Sequence, residues 1–205
     1  GMSMRYLQKS YSWKSLLEQI TVDLTGNDEQ FLNIDSRFNG DCPKMASEIE
    51  KIFNQKLEED RNGKFKNIND IFFEDKRKGI DNSRFKIYIS QLLADNSFKP
   101  EMLEEIKTLK TIRKNISSVI TTNYDNLVEQ IFQFDPLVGN NILLSNPYGA
   151  VYKIHGSIEN PSSIIITAGD YRNFDTKYEL IRAQLLSLFM HNPIIFIGYS
   201  LTDEN

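Results

Sequence analysis

Apolar positions follow two different patterns along this chain. From Ser12 to Arg113 they recur at intervals of three and four residues within charged, Asn-, Lys- and Glu-rich sequence, the period of surface helices. Leu16, Leu17, Ile20 and Leu24 share one helical face, with Ser12 as N-cap and Gly26-Asn27-Asp28 as the stop. Met45, Ile49, Ile52 and Phe53 mark a second helix over 43–57, capped by Asp41 and with Pro43 in its first turn. Arg61-Asn62-Gly63 is a turn, and further helices are predicted over 68–73, 84–93 and 100–113. Nothing in this stretch reads as a strand.

From Ile116 onward the pattern is that of short buried strands alternating with helices. Strands are predicted over 116–121, 150–155, 163–167 and 194–198, from β-branched and apolar runs. Helices are predicted over 124–134 and 176–191, the second with Tyr178, Ile181, Leu185, Leu188 and Phe189 on one face and ended by Pro193. Such alternation predicts an α/β fold: a Rossmann-like, mostly parallel sheet with helices on both faces. The helical stretch is then a subdomain inserted in, or packed against, that core. The expected division is 1–25 as an N-terminal helix of the α/β core, 26–113 as the helical subdomain and 114–205 as the Rossmann-like region.

Parallel sheets bind ligands beyond the carboxyl ends of their strands. Just past three predicted strand ends stand Thr122, Asn123 and Asp125; His155 and Gly156; and Gly198, Tyr199 and Ser200. Thr, Asn, Asp and Gly are ordinary turn formers after any single strand. Three exits that together deliver small, polar and ionisable groups, one of them a His-Gly pair, favour a binding or catalytic edge.

Composition narrows the picture. Hydrophobic residues at 40% and charged residues at 25% are those of a soluble globular chain, and a net charge of −4 offers no bulk surface for nucleic acid or anionic membranes. Lys76-Arg77-Lys78 reads as a solvated face. Cys42 is the single cysteine, so neither an internal disulfide nor a Cys/His zinc site is expected, which suits a reducing, cytoplasmic setting. The longest apolar run, 192–198, has strand length, well short of the roughly 20 residues that span a bilayer. The N-terminus lacks a signal-peptide pattern, and Gly1 before Met2 reads as a tag-cleavage scar. No Gly-x-Ser-x-Gly, P-loop or His-Glu-x-x-His motif occurs.

Four segments in order resemble the sirtuins and the broader bacterial sirtuin-like domains. They are Thr121-Thr-Asn-Tyr-Asp-Asn-Leu127, Lys153-Ile-His-Gly-Ser157, Ser163-Ile-Ile-Ile-Thr167 followed by Asp170-Tyr171, and Phe196-Ile-Gly-Tyr-Ser-Leu-Thr-Asp203. Their spacing agrees too, with 32 residues from Asn123 to His155 and 43 from His155 to Gly198. Tyr11-Ser-Trp-Lys-Ser-Leu-Leu17 is similar to the helix after the family's first loop. The resemblance implies NAD as substrate, cleaved between nicotinamide and ribose, with many bacterial relatives hydrolysing it in anti-phage defence. No Cys-x-x-Cys pair follows His155-Gly156, so the sirtuin zinc module is not expected. The family's Gly-Ala-Gly-x-Ser loop and most of its first strand are expected to be missing, because only Gly1 to Ser10 precede Tyr11 and no glycine follows Gly1 there. Leu201 to Asn205 reads as the opening of a helix that has been cut off.

The residues suit that chemistry. Nicotinamide leaves a ribose carbon that becomes oxocarbenium-like, a centre served by positioned acceptors and a located nucleophile. Asn123 can hold a water or a ribose hydroxyl while staying neutral, and His155 can act as general base. Asp125 is either an orienter of the substrate or the N-cap of the helix that follows. Gly156 and Gly198 allow close backbone approach, and Thr122 and Ser200 offer hydroxyls. Asp170 and Tyr171 are expected at the rim, Trp13 and Tyr199 as packing residues, and His191 as a helix C-terminal residue. Two functions stay open: an NAD glycohydrolase, and a non-catalytic module that binds NAD or ADP-ribose, in either case with self-association as an expectation.

Overall fold

The computed structural model describes residues 1–144, 148–177 and 179–198. Ten α-helices, four short 3-10 helices and three strands are found among them. The short helix α1 (Met2–Tyr6) leads into α2 (Trp13–Thr25), α3 (Glu29–Phe38), α4 (Cys42–Glu59), α5 (Lys66–Arg77), α6 (Arg84–Leu92) and α7 (Leu103–Thr111). The predicted caps are in place: Ser15 N donates to Ser12 Oγ at 3.1 Å, and Lys44 N donates to Asp41 Oδ1 at 3.2 Å. Gly26 ends α2 at φ +89°, a conformation glycine adopts without steric cost.

Strands β1 (Ser118–Thr121), β2 (Asp135–Val138) and β3 (Ala150–Lys153) form one sheet in the order β1-β3-β2, with both pairings parallel. The chain is thus α/β with a small parallel sheet, as the strand–helix alternation predicts. Helix α8 (Leu127–Phe132) joins β1 to β2, while α9 (Ala168–Lys177) and α10 (Glu179–His191) follow β3. Helices cover both faces. Leu127, Val128, Ile131 and Phe132 of α8 pack with Val151, Ile106 and Tyr6 on one face. Ile181 of α10 packs with Tyr152, Ala150 and Ile142 on the other. A separate core joins α2, α3, α4 and α6 through Leu17, Ile20, Phe31, Ile49, Phe53 and Phe85.

The structure corrects three expectations and adds one strand. Residues 163–167 do not form a strand: Ile164 and Ile166 turn into the core of the helical part, and Ile165 N makes a single backbone bond, 2.9 Å, to His155 O. Burial against helices there outweighs β propensity. Residues 194–198 are not a strand either. Ile195 is 83% exposed and Phe196 54%, and the segment is not part of the described sheet. The helix expected over 176–191 runs as Ala168–Lys177 and Glu179–His191. Strand β2 contains Pro136, a residue that argues against a strand from sequence and is tolerated at this edge position. No helix among the described residues is long and apolar enough to cross a membrane.

One largely buried ionic contact ties α6 to the start of α9. Lys86 Nζ on α6 donates to Asp170 Oδ1 at 2.7 Å, while Asp170 Oδ2 accepts from Thr167 N and Ile166 N at 3.0 and 3.2 Å. Burial pushes the Asp170 carboxyl up, but Lys86 and the two backbone donors outweigh it and hold the group below the usual carboxylate range. A lowered folded value gives stability that is present above the unfolded pKa and is lost as pH falls through the folded one. Asp170→Asn is therefore expected to cost about 2–3 kcal/mol at pH 7, with the gap from wild type narrowing below about pH 4, as urea melts at the two pH values would read. A gap that stays constant with pH would refute the assignment.

Candidate functional site

Parallel pairing places the carboxyl ends of β1 and β3 side by side, with Thr121 in register with Lys153. The segment after β1 delivers Thr122, Asn123 and Asp125, and the segment after β3 delivers His155. All four line one cavity of about 330 Å³, within the range of small-ligand sites. Ser3, Tyr11, Trp13 and Tyr171 also line it.

Asn123 is held by its own loop and by α1. Its backbone N donates to Thr121 Oγ1 at 3.1 Å, and its Nδ2 donates to Ser3 Oγ at 2.8 Å. That bond fixes the amide with Oδ1 as the acceptor left for other partners. Ser3 Oγ in turn donates to Asp125 Oδ2 at 2.6 Å. Asp125 Oδ1 accepts from Leu127 N, the first residue of α8, at 3.1 Å, a turn contact made from one position before the N-cap, Asn126. Asp125 thus braces the turn that enters α8 without occupying its N-cap, and it lines the cavity.

His155 is 4% exposed, with its ring edge-on to Tyr171 at 5.5 Å and to Phe174 at 6.0 Å. Tyr171 stacks on Trp13 at 5.8 Å, so an aromatic row links α2 to the histidine through α9. Trp13, expected to be a packing residue, is part of the cavity wall. Gly156, at φ +92°, faces the backbone of Ser163 and Ile164 rather than the cavity. Its backbone conformation turns the chain away immediately after the histidine. Gly198, at φ +64°, does not line the cavity; it lies against Met2 of α1. Ser200 and Tyr199 lie outside the described residues. His191 Nδ1 lies 2.8 Å from Ser187 O at the end of α10, far in role from the cavity. Among the described residues, no group of three or more His, Cys, Asp or Glu side chains is arranged to hold a metal ion.

Sequence reasoning overlooked two residues. Ser3 carries no motif and is brought in by α1. Lys153, placed within the strand predicted over 150–155 but given no role, is fully buried, and its ammonium donates to Asp125 O and to Glu129 Oε1, the latter at 2.7 Å. A signal stands in the sequence: a lysine ending an apolar strand, two residues before the histidine.

Comparison with known proteins matches residues 117–205 to a family model described as SIR2-like domain. NAD(+) hydrolase ThsA of Enterococcus faecium is 33% identical over 127 residues, covering 57% of this chain and 26% of the relative. NAD(+) hydrolase ThsA of Bacillus cereus (strain MSX-D12) is 28% identical over 126 residues, with the same shares. Defense-associated sirtuin 2 of Bacillus subtilis is 30% identical over 105 residues, 47% of this chain and 10% of that protein. The chain thus spans about a quarter of the length of the two hydrolases it matches.

Proposed function

From the match of residues 117–205 to a SIR2-like domain, we propose that this chain is the NAD-binding and catalytic part of an NAD glycohydrolase acting in anti-phage defence. The observation that carries this reading is the meeting of Asn123, Asp125 and His155 in one cavity, delivered by two adjacent parallel strands. In the proposed reaction the bond between nicotinamide and the ribose carbon breaks, and nicotinamide leaves with its electron pair. A water held by Asn123 Oδ1 attacks the oxocarbenium-like carbon, and its proton passes to His155. The products are nicotinamide, ADP-ribose and a proton. Asp125 and Thr122 orient ribose hydroxyls or the nicotinamide amide. Gly156 and Gly198, which do not line this cavity, and Ser200 are proposed as cofactor-binding residues from the sequence alone. The aromatic row of Trp13 and Tyr171 supplies a stacking wall for a planar ring. In this organisation residues 26–113 are the helical subdomain and 114–205 the NAD-pocket region, joined by residues 1–25.

Nicotinamide release from NAD by the purified protein tests the reading. Turnover that yields equimolar ADP-ribose supports it, and absence of release under saturating NAD overturns it. A second reading rests on a specific contact: Ser3 already engages Asn123 Nδ2 and Asp125 Oδ2, polar atoms that a substrate would otherwise meet. On that reading the chain binds NAD or ADP-ribose without turning it over. Calorimetric titration with both ligands, in the absence of release, would support it.

A further inference from the structure

Lys153 ends β3 with no exposed surface. A lysine there is costly unless its charge is met, and an apolar side chain of similar length fills such a site at lower desolvation cost. Its ammonium meets three acceptors: Asp125 O, Glu129 Oε1 at 2.7 Å and Asn126 Oδ1 at 3.5 Å. All three belong to the stretch that follows Asn123 and opens α8. Glu129 is itself only 13% exposed at its side chain, and its Oε2 has no hydrogen-bond partner among the described residues. An ion pair left incomplete in this way is a poor device for stability alone. Its geometry has another use. Lys153 ends β3 two residues before His155, which lies in the turn that follows, and it grips the backbone two residues after Asn123.

We infer that Lys153 is a positioning residue, whose ammonium pins the Thr122–Asn126 loop to β3 and so sets the placement of Asn123 relative to His155. The inference rests on the reading of these two residues as the reacting pair. Thr121 and Lys153 lie in register, so the strands fix the ends of the loop, while the lysine fixes the carbonyl at its far side. A misplacement of about 1 Å at a reacting group costs roughly a hundredfold in rate.

The test is the double variant Lys153→Met/Glu129→Leu, which removes both charges together and leaves no buried ion stranded. Three quantities are read on the full chain: thermal midpoint, amide hydrogen exchange at residues 122–126, and kcat and KM for nicotinamide release. The expected result is a midpoint within a few degrees of wild type, with exchange in the loop faster by about tenfold or more. The expected kinetic change is a kcat lower by about tenfold or more, with KM within about threefold. Wild-type protection of the loop, or wild-type kcat, overturns the inference. Failure of the double variant to fold also overturns it, because the pair would then be an element of stability. If the unaltered protein releases no nicotinamide, the proposed function fails separately, and loop exchange alone decides the positioning role.

Discussion

Asn123→Ala is expected to slow nicotinamide release from NAD by about a hundredfold or more, while leaving the thermal midpoint within a few degrees of wild type. The separation of the two effects follows from the contacts of this side chain. Its Nδ2 bonds to Ser3 Oγ, near the start of the chain, and its Oδ1 serves no fold contact among the described residues. Truncation removes the acceptor that would hold the nucleophile, and the cost to packing is small. His155→Ala is expected to reduce the rate by a similar factor with a larger stability cost, because the ring is buried against Tyr171 and Phe174. The two losses should combine to much less than their product, as the residues act on one step. Retention of full activity in both variants would sink the assignment.

The second large effect is structural and does not depend on the reaction. Gly156→Ala places a Cβ 2.2 Å from Ser163 O and 2.4 Å from Ser163 C, at a backbone φ of +92°. Both atoms belong to a backbone tied down on two sides: Ser163 N donates to Asn160 O at 2.9 Å, and Ser157 N donates to Ser163 Oγ at 3.0 Å. No side-chain rotation relieves the overlap, so the segment after β3 must shift or the chain must change conformation. The expected cost is at least about 3 kcal/mol, or a fall of roughly 10 °C in thermal midpoint for a domain of this size. A midpoint equal to wild type would show that Ser163 is not held where the structure places it. The same variant should disturb His155, which immediately precedes the shifted residue.

Much of this was legible in the sequence, for physical reasons that can be named. Helices α2 and α4 announce themselves by apolar period and by caps, Ser12 and Asp41, whose side chains do accept the expected backbone bonds. Strands β1 and β3 were legible as β-branched runs flanked by turn formers. Asn123 and His155 were legible because strand exits in parallel sheets carry chemistry. The misreadings share one cause. Residues 163–167 and 194–198 have strand composition, but a strand needs a neighbour, and composition carries no information about neighbours. Ile164 and Ile166 found helical partners instead. Strand β2 was hidden for the opposite reason: Asp135 and Pro136 mask its local preference, and pairing with β3 decides the matter. The contacts of Ser3 and Lys153 were not legible, because they are made across 120 and 28 residues of sequence respectively.

The aromatic row beside His155 has an optical consequence. Trp13 is the single tryptophan of the chain, and it lines the cavity while stacked on the tyrosine that borders the histidine. All indole emission therefore originates at the wall of the candidate site. Ring stacking or a change of polarity there alters the whole tryptophan signal rather than a diluted share of it, so the protein carries its own fluorophore for following occupancy of that cavity.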